Sequence, residues 1–331
     1  MSDTDIQKNR IRNKLINMRY GDAEPMNEYN KRNQIRNLLR IEEVRNFYSD
    51  LQIKLRSANL LGSGIIIPEQ AEDSITELVK HYSALYNEVL MVPIGIDGRV
   101  TISTDDVKAV WGNPTAGTVE LDSDLAAVEL SDNMLSSFTS VNNSTLEESL
   151  LDMVLYLEDL LAQAIAYGFD HGVINGTGDG ASIFEPKGIL LNLPVTNNVT
   201  LTMDAVDQSS VSPGHILNKI SLITSGTKDD IGEVIAVMKR KTYYKYAASG
   251  ANSSLPYPNL NGVRVKFTPA VAENTILLGD FKQYLTGKRK GIRIASSEHV
   301  RFVQHQTIFK VVSRFDGQPI NNAAFVQITN A

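Results

Sequence analysis

The sequence of 331 residues predicts an α+β fold organised around one long buried helix. Residues 146–174 contain no proline, their first glycine is Gly168, and their apolar side chains recur on more than one helical stripe. The second half of the chain instead has short apolar runs separated by Gly, Pro and Asn, which is typical of strands and turns. Together these patterns predict a spine helix, about 40 Å long at the helical rise, packed on two sides.

The composition is that of an ordinary globular protein and excludes several kinds of chemistry. Hydrophobic residues make up 42% and charged residues 21%, and there is no cysteine. Disulfides, thiolate metal sites and a cysteine nucleophile are therefore excluded. The longest apolar runs, such as Val234–Met238, are too short for a membrane helix, and the first residues lack the apolar core of a secretory signal. We therefore expect a cytoplasmic, soluble product and no membrane contact.

The first sixty residues predict a helical arm. Apolar residues recur at helical spacing on both sides of a break at Gly21–Pro25. Residues 1–60 carry 12 Lys/Arg and 8 Asp/Glu, a net charge of +4. This basic excess fits an anionic partner or, more often, a solvated helix face. Because a polar helix with one apolar stripe has little to pack on in its own chain, we expect it to pack on another subunit.

Residues 61–86 predict a connection from this arm into the core. A flexible Gly62–Gly64 step precedes three isoleucines in β-like sequence. Pro68 then suits the first turn of a helix, which we expect to run to about Tyr86.

Residues 87–124 predict a long loop with a hairpin. In VLMVPIGIDGRVTIS two β-rich runs are joined by Asp97–Gly98, a strong hairpin signal. Residues 103–124 are polar and contain the only tryptophan, Trp111. A connection of this length is usually functional or disordered. Residues 125–140 then alternate apolar and polar as one strand would.

The spine helix has a clear start and a glycine-rich end. Ser144 and Glu147 have the spacing of a capping box, and we expect the helix acids to lie on its polar positions. Those acids are Glu147, Glu148, Asp152, Glu158 and Asp159. The helix ends in INGTGDG, residues 174–180, which resembles a phosphate or calcium loop.

Helix polarity argues against a phosphate loop at INGTGDG, and the number of carboxylates argues against a calcium loop. Phosphate loops place glycines at a helix N-terminus, whereas this segment follows a C-terminus, whose partial charge is negative. Asp179 is the only carboxylate within it, and calcium loops need several. We therefore predict a glycine C-cap and turn with no ligand, in which Gly176 or Gly178 has a positive φ.

The remainder of the chain predicts further strands. Residues 187–295 contain the apolar runs GEVIAVM, GVRVKF and NTILLGDF, and residues 296–331 contain VRFVQ, TIFKVVSRF and AAFVQIT. We expect Asp316–Gly317 to form a turn.

No catalytic, cofactor-binding or metal-binding constellation emerges, so we predict no enzyme activity and no cofactor. No two of the five histidines have zinc-ligand spacing. They are His81, His171, His215, His299 and His305. Acid pairs such as Glu147–Glu148 and Asp229–Asp230 have no feature of a general acid/base couple. The run KRKTYYKY, residues 239–246, fits a nucleic-acid stacking surface or, more often, an exposed helix face.

The order of these parts resembles the major capsid proteins of tailed bacteriophages with the Hong Kong 97-type fold, over residues 60–331. Each matching stretch is weak alone, but six in the family's order are specific. They are GSGIIIPEQAEDSITELV; VLMVPIGIDGRVTIS; AVWGNPTAGTVELDSDLAAVEL; the spine helix with NGTGDG and FEPKGIL; NGVRV with LLGDF; and FKVVSRFDGQPINNAAFVQIT.

The resemblance implies a division of the chain into parts. Residues 1–60 would be a helical N-terminal arm or scaffold-like segment, and 61–86 the strand and helix leading to the core. Residues 87–124 would be the extended loop, lying over a neighbouring subunit. The peripheral domain would comprise 125–186 and 296–331 around the spine helix, and 187–295 would be the axial domain.

The resemblance also implies a function and partners. The chain would be a capsid protein that assembles with itself into hexamers and pentamers of an icosahedral shell enclosing double-stranded DNA, without sequence specificity. A portal protein and a scaffolding or decoration protein would be further partners. The protein would lie in the virion, after assembly in the host cytoplasm. The alternatives are an encapsulin-like nanocompartment shell and a nucleotide- or metal-dependent enzyme that uses INGTGDG.

The residues that form a covalent cross-link in some relatives are not all present in this sequence. Some relatives cross-link a loop lysine to an asparagine beside a buried glutamate. Lys108 is a plausible loop lysine, but the asparagine position falls near Gln304–His305 and the glutamate position near Val312. We therefore expect no covalent cross-links.

Overall fold

A computed structural model describes most of the chain from residue 69 onwards. The described residues are 33, 36–37, 39–42, 44–46, 49, 69–94, 98–103, 125–142, 150–179, 184–201, 213–224, 232–247, 258–297 and 300–330. Several predictions lie outside these residues. They concern most of the helical arm, the Gly62–Gly64 step, Pro68, Lys108, Trp111, the Ser144–Glu147 cap, Asp229–Asp230 and His299.

The predicted spine helix is present. Helix α2 spans Leu150–Asn175, with apolar residues buried at helical spacing, among them Leu157, Leu161 and Ile165. Helix α1, Glu69–Tyr82, packs along it and buries Ile75 and Val79. The helix after Pro68 therefore ends four residues earlier than the expected Tyr86.

A four-stranded sheet packs on the spine helix, in the order β1-β12-β13-β4. Strand β1 spans Leu90–Pro93, β4 Met134–Asn142, β12 Tyr284–Ser297 and β13 Gln306–Pro319. Strand β1 runs parallel to β12, and the other two pairs are antiparallel. The strand TIFKVVSRF is confirmed as part of β13.

A six-stranded sheet forms the second layer, in the order β7-β14-β11-β8-β10-β9. Its strands are β7 (Asn198–Leu201), β8 (Ile235–Met238), β9 (Asn259–Leu260), β10 (Val263–Phe267), β11 (Thr275–Gly279) and β14 (Phe325–Asn330). The runs GEVIAVM, GVRVKF, NTILLGDF and AAFVQIT are thus confirmed as strands. Short helices flank this sheet: α3, Pro213–Leu217, and α4, Arg240–Thr242, the second continuing as a π-helical turn, Tyr243–Ala247.

The hairpin predicted at Asp97–Gly98 is wrong. Strand β1 pairs with β12, whereas β2, Arg99–Ser103, pairs antiparallel with β3, Leu125–Glu129. Gly98 does have a positive φ of 64°, so the chain bends sharply there. The two runs therefore belong to different sheets. We call β2 and β3 the ribbon.

Three other local predictions need correction. Residues 125–140 are two strands, β3 and β4, separated by 130–133. Instead of a strand at VRFVQ, the structure has a 3₁₀ turn at Phe302–Gln304. Asp316–Gly317 is no turn but lies within β13, opposite Gly287 and Thr286. The side chain of Asp316 bonds to neighbouring backbone, so the local turn signal is overridden by the pairing of long strands.

One apolar core joins the two sheets. It includes Phe169 from the spine helix, Val311 and Phe315 from the four-stranded sheet, and Leu277 and Phe325 from the six-stranded sheet. The division into peripheral and axial domains remains a prediction. The two sheets do not divide the chain at the predicted domain boundaries. Residues 284–297 pair in the four-stranded sheet, and 325–330 pair in the six-stranded sheet.

Candidate functional site: surfaces for assembly

The glycine segment at the end of the spine helix leads into a pair of antiparallel strands. Gly176 donates to the carbonyl of Gly172 at 3.1 Å, and β5, Thr177–Asp179, then pairs with β6, Phe184–Lys187. Gly178 has a φ of 76°, which confirms the predicted left-handed glycine. A Cβ on Gly176 would lie 2.2 Å from the carbonyl oxygen of Pro186, so this backbone approach requires glycine.

The same segment is chemically unsuited to a phosphate. The N–H of Thr177 already donates to Glu185 Oε2 at 3.3 Å, and the Thr177 hydroxyl donates to the same oxygen at 3.2 Å. A carboxylate thus occupies the position an anion would need, and it would repel phosphate. Asp179 lies in β5.

The histidines and acids form no metal site in the described residues: no three His, Asp or Glu side chains come together there. Nor does a helix long and apolar enough to span a membrane occur in this part of the chain.

The run KRKTYYKY is only partly the exposed helix face that was expected. Tyr243 is fully buried, and its hydroxyl donates to the carbonyl of Asn259 at 3.0 Å. Lys241 pairs with Glu273 at 3.3 Å, with both side chains largely exposed, and Tyr244 is 60% exposed. The buried Tyr243 is unavailable for stacking on a nucleic-acid base.

Two acids of the spine helix are buried, and neither burial was predicted from the sequence. Glu158, expected on a polar position, is 1% exposed and accepts a hydrogen bond from Ser74 at 2.9 Å. Asp170, which sequence reasoning passed over, is 3% exposed. An acid directly between apolar Phe169 and His171 in a buried helix was the available signal.

Asp170 connects three parts of the fold. It accepts hydrogen bonds from Ser83 at 2.5 Å, from the N–H of Ala84 at 3.1 Å and from Thr268 at 2.9 Å, and a weaker one from the N–H of Leu85. The donors belong to the turn after α1 and to the loop after β10. Burial raises the pKa of the Asp170 carboxyl, although the hydrogen bonds oppose this shift.

A second acid ties the same turn to the six-stranded sheet. Glu88 pairs with Arg264 and with Lys266, each at 3.1 Å. Burial works against its ionised form, yet the two cations prevail and lower the pKa of Glu88.

The base of the ribbon is fastened to the four-stranded sheet by two aspartates. Asp132, between β3 and β4, pairs with Arg314 and, at 3.1 Å, with Arg289. Asp316 accepts hydrogen bonds from the N–H of Ser131 and, at 3.1 Å, from the amide of Asn133. Three of the four connecting residues, 130–133, are thus bonded to β12 and β13, where the ribbon leaves the core.

The four-stranded sheet has one face without a covering element in the described structure, which we call the outer face. In β13 the alternate residues Phe309, Val311 and Phe315 are buried against the core, so their neighbours point away. The outward residues form rows across the strands. The rows are Ser297–Ile308–Ser140, Ala295–Lys310–Phe138, Arg293–Val312–Ser136 and Lys290–Arg314–Met134.

The outer face combines cations with exposed apolar side chains. Phe138 is 66% and Met134 53% exposed, and Arg293 and Lys310 are exposed beside them. Arg301 reaches Ser140 at the end of the face, with a donor–acceptor distance of 3.1 Å. The four rows contain no acid. Val312, the position of the missing glutamate, lies in the third row, whereas Gln304–His305 ends the 3₁₀ turn before β13.

Comparison with known proteins gives a family match over most of the chain. Residues 63–330 match the model described as the phage capsid family. A search among curated proteins finds no match.

Solved structures share the fold at low sequence identity. The capsid of a native GTA particle is 18% identical, with a TM-score of 0.53 and coverage of 83% of this chain and 94% of that one. A structure from Mycobacterium phage Bobi is 14% identical, with a TM-score of 0.54 and coverage of 75% and 90%. The procapsid of satellite phage P4, whose structure includes the size determination (Sid) protein, is 10% identical, with a TM-score of 0.54 and coverage of 78% and 98%.

Proposed function

This chain belongs to the phage capsid family, and from that premise we propose that it builds the icosahedral head of a tailed double-stranded DNA phage from hexamers and pentamers of itself. It is a structural shell protein. The observation that carries the proposal is the family match over residues 63–330, which spans both sheets, the spine helix and the ribbon. Such a protein acts through repeated contacts between identical subunits.

The parts of the fold suit distinct roles in a shell. We assign the spine helix and the four-stranded sheet to a peripheral domain, and the six-stranded sheet to an axial domain whose end meets its copies at the fivefold and sixfold axes. The extended loop, expected at residues 87–124, would comprise the ribbon and the residues that connect its two strands. The firm attachment of the ribbon base through Asp132 and Asp316 supports this role, because a contact with a neighbour needs a defined direction.

Further partners follow from the same proposal. The shell would enclose double-stranded DNA without sequence specificity, join a portal protein and assemble in the host cytoplasm with or without a scaffolding or decoration protein. The N-terminal sixty residues would remain as a helical arm. We also propose that the protein has no enzymatic activity, since its role is to form interfaces.

Shell stability is proposed to be noncovalent. The outer face offers Val312 where a cross-linking relative has a glutamate, and the nearby Gln304–His305 replaces the asparagine. Purified shells boiled in detergent should therefore run as one band near 36.5 kDa. A ladder of higher species would contradict this part of the proposal.

Negative-stain electron microscopy of the expressed protein tests the function. Uniform icosahedral shells or capsomers are expected, and a monomer that never assembles would contradict the proposal. Nuclease-protected DNA in particles purified from infected cells is also expected. Shells that enclose protein and no nucleic acid would instead favour the encapsulin-like alternative.

A further inference from the structure

Two connections between the four-stranded and the six-stranded sheet run side by side. Residues 280–283 join β11 to β12, and residues 320–324 join β13 to β14. The N–H of Ile320 donates to the carbonyl of Gln283 at 2.7 Å, so the two connections are bonded to each other. Because β11 and β14 are neighbours in one sheet, and β12 and β13 in the other, the connections form a narrow bridge. Rotation about this bridge would change the angle between the sheets.

Strand β10 is fastened to the rest of the fold away from the bridge. In the six-stranded sheet β10 lies two strands from β11, which is roughly 10 Å at the usual strand spacing. Arg264 and Lys266 of β10 each lie 3.1 Å from Glu88, in the turn that joins α1 to β1. In the loop after β10, Thr268 donates to Asp170 of the spine helix at 2.9 Å. Contacts this far from the bridge resist rotation, because a small rotation would separate their partners.

The turn between α1 and β1, residues 83–89, is itself held by the spine helix and the four-stranded sheet. Ser83 donates to Asp170 at 2.5 Å. The ring centroid of Tyr86 lies 6.2 Å from that of Phe315 in β13, and the strand that follows the turn, β1, pairs with β12. The turn therefore belongs mechanically to the four-stranded sheet, and its ion pairs with β10 join one sheet to the other.

The two attachments of β10 differ in their access to solvent. The side chain of Glu88 is 14% exposed, and those of its two cations are 46% and 37% exposed. Salt therefore reaches these ion pairs and screens them. The other attachment uses Asp170, which is 3% exposed, and Asn175, whose amide donates to the carbonyl of Ala270 at 2.8 Å. Neutral donors supply this second attachment, so salt has less effect on it.

We propose that the turn of residues 83–89 and strand β10 form a brace that fixes the angle between the two sheets, with the ion pairs of Glu88 as its releasable part. Loss of the brace lets the sheets rotate about the bridge while each stays folded. Its role in assembly rests on the proposed shell function: a closed shell requires subunits that present their interfaces in defined directions. The angle itself is a property of one subunit.

The absence of cysteine allows this angle to be measured with two spin labels. Lys310→Cys on β13 and Lys241→Cys beside the six-stranded sheet are exposed positions for nitroxides. Labelled full-length protein is mixed with an excess of unlabelled protein, so that pulsed electron spin resonance records distances within one subunit. We expect a narrow distribution for the otherwise unchanged chain. Glu88→Gln should widen it, and Glu88→Gln with Thr268→Val should at least double its width.

Glu233→Gln is the matched control. Glu233 lies 2.9 Å from the same guanidinium, that of Arg264, but it directly precedes β8 and so belongs to the same sheet as its partner. Its loss removes an equal charge and should leave the distance distribution unchanged. A wild-type width in the double variant, or equal widening by Glu233→Gln and Glu88→Gln, would overturn the brace.

Salt gives a test that needs no substitution in the brace. In about 1 M NaCl the distribution of the otherwise unchanged chain should widen towards that of Glu88→Gln, whose own width should hardly respond. This comparison decides if circular dichroism shows the double variant to be misfolded. A width that is the same at low and high salt would then contradict the proposal.

Electron microscopy connects the brace to assembly. Shells of the double variant should vary in diameter with at least twice the spread of wild-type shells. Uniform shells from subunits whose distance distribution has widened would overturn the role of the brace in assembly. Failure of the wild type to assemble would overturn the proposed shell function, whereas the distances within one subunit would still decide whether the brace exists.

Discussion

The two faces of β13 differ in what covers them, although their residues alternate along one strand. Phe309, Val311 and Phe315 point to the spine helix and are at most 5% exposed. Ile308, Lys310 and Val312 point to the outer face, where the described fold leaves them wholly or partly accessible. The inner face is completed by folding, and the outer face is proposed to be completed by assembly. Substitutions on the two faces should therefore fail at different stages.

The sharpest test uses two adjacent valines. Val311→Asp places a carboxylate with no partner in the core, and we expect a loss of more than about 4 kcal/mol in the free energy of unfolding, with insoluble protein. Val312→Asp should cost about 1 kcal/mol or less and leave soluble, folded subunits, because its side chain points outwards. Shell yield should nevertheless fall for Val312→Asp if a neighbouring subunit covers this face, since the contact would bury the new charge.

Urea unfolding and gradient sedimentation measure these two outcomes. Leu157→Asp is a second inner variant, 4% exposed in the spine helix, and should also abolish soluble folded protein. Soluble, assembling Val311→Asp would show that the two faces have been assigned the wrong way round.

Adding one methyl group by a glycine-to-alanine substitution tests how closely the backbone packs at the end of the spine helix. Gly176→Ala places its Cβ 2.2 Å from the Pro186 carbonyl oxygen and 2.5 Å from that of Gly172. Since both contacts are backbone, we expect a loss of about 3 kcal/mol. Gly168→Ala, within the spine helix, is the control, because its Cβ would meet only the flexible Leu135 side chain. That change should stay within about 1 kcal/mol, as measured by thermal and urea unfolding.

The buried Asp170 gives a prediction of pH dependence. Its raised folded-state pKa favours the protonated form, so its contribution to stability is complete below the unfolded pKa and is lost as pH rises through the folded value. The wild type should therefore gain stability relative to Asp170→Asn as pH is lowered from 7 towards about 4. Urea unfolding of both proteins at several pH values separates the contribution of this carboxyl to stability from the contributions of all other titratable groups.

If the wild type instead loses stability relative to Asp170→Asn as pH is lowered, the hydrogen bonds to Asp170 lower its pKa by more than burial raises it. Thr268→Val is a companion variant that removes one donor without changing the charge. We expect it to cost about 1.5–3 kcal/mol at neutral pH, the usual range for a hydrogen bond to a charged group.

Local pattern predicted some of these features well. The spine helix follows from unbroken apolar periodicity, and the left-handed Gly178 follows from the position of glycines after a helix end. Both properties depend on residues near one another in sequence. For the same reason, the strands of the six-stranded sheet could be recognised from their short apolar runs.

Pairing between distant residues could not be read in this way. Leu90 pairs with Leu285, so the apparent hairpin at Asp97–Gly98 could be rejected only with β12 in place. The hydrogen bonds of Asp170 come from segments near residues 84 and 268, which no spacing rule connects. The outer face likewise exists only once the register of β12, β13 and β4 brings its cations into adjacent rows.

The smallest expected effect concerns a buried polar side chain on the inner face of β13. The Ser313 hydroxyl is buried, its residue is 1% exposed, and it has no hydrogen-bond partner in the described part of the chain. Burying a hydroxyl without a partner costs about 1–3 kcal/mol, so Ser313→Ala should be neutral or stabilise the fold by about 1 kcal/mol. The inner face would then lose a polar side chain and keep its shape.

Ser83→Ala is the matched control for this substitution. The Ser83 hydroxyl donates to Asp170 and accepts from the N–H of Tyr86 at 2.9 Å, so its removal leaves buried groups without partners and should destabilise the fold by about 2 kcal/mol. The two serines thus predict opposite signs for the same chemical change, measured by urea unfolding of the unassembled protein. A loss of stability in Ser313→Ala equal to that in Ser83→Ala would mean that Ser313 bonds to a residue outside the described ranges, and that the inner face is completed by more of the chain than the two sheets and the spine helix.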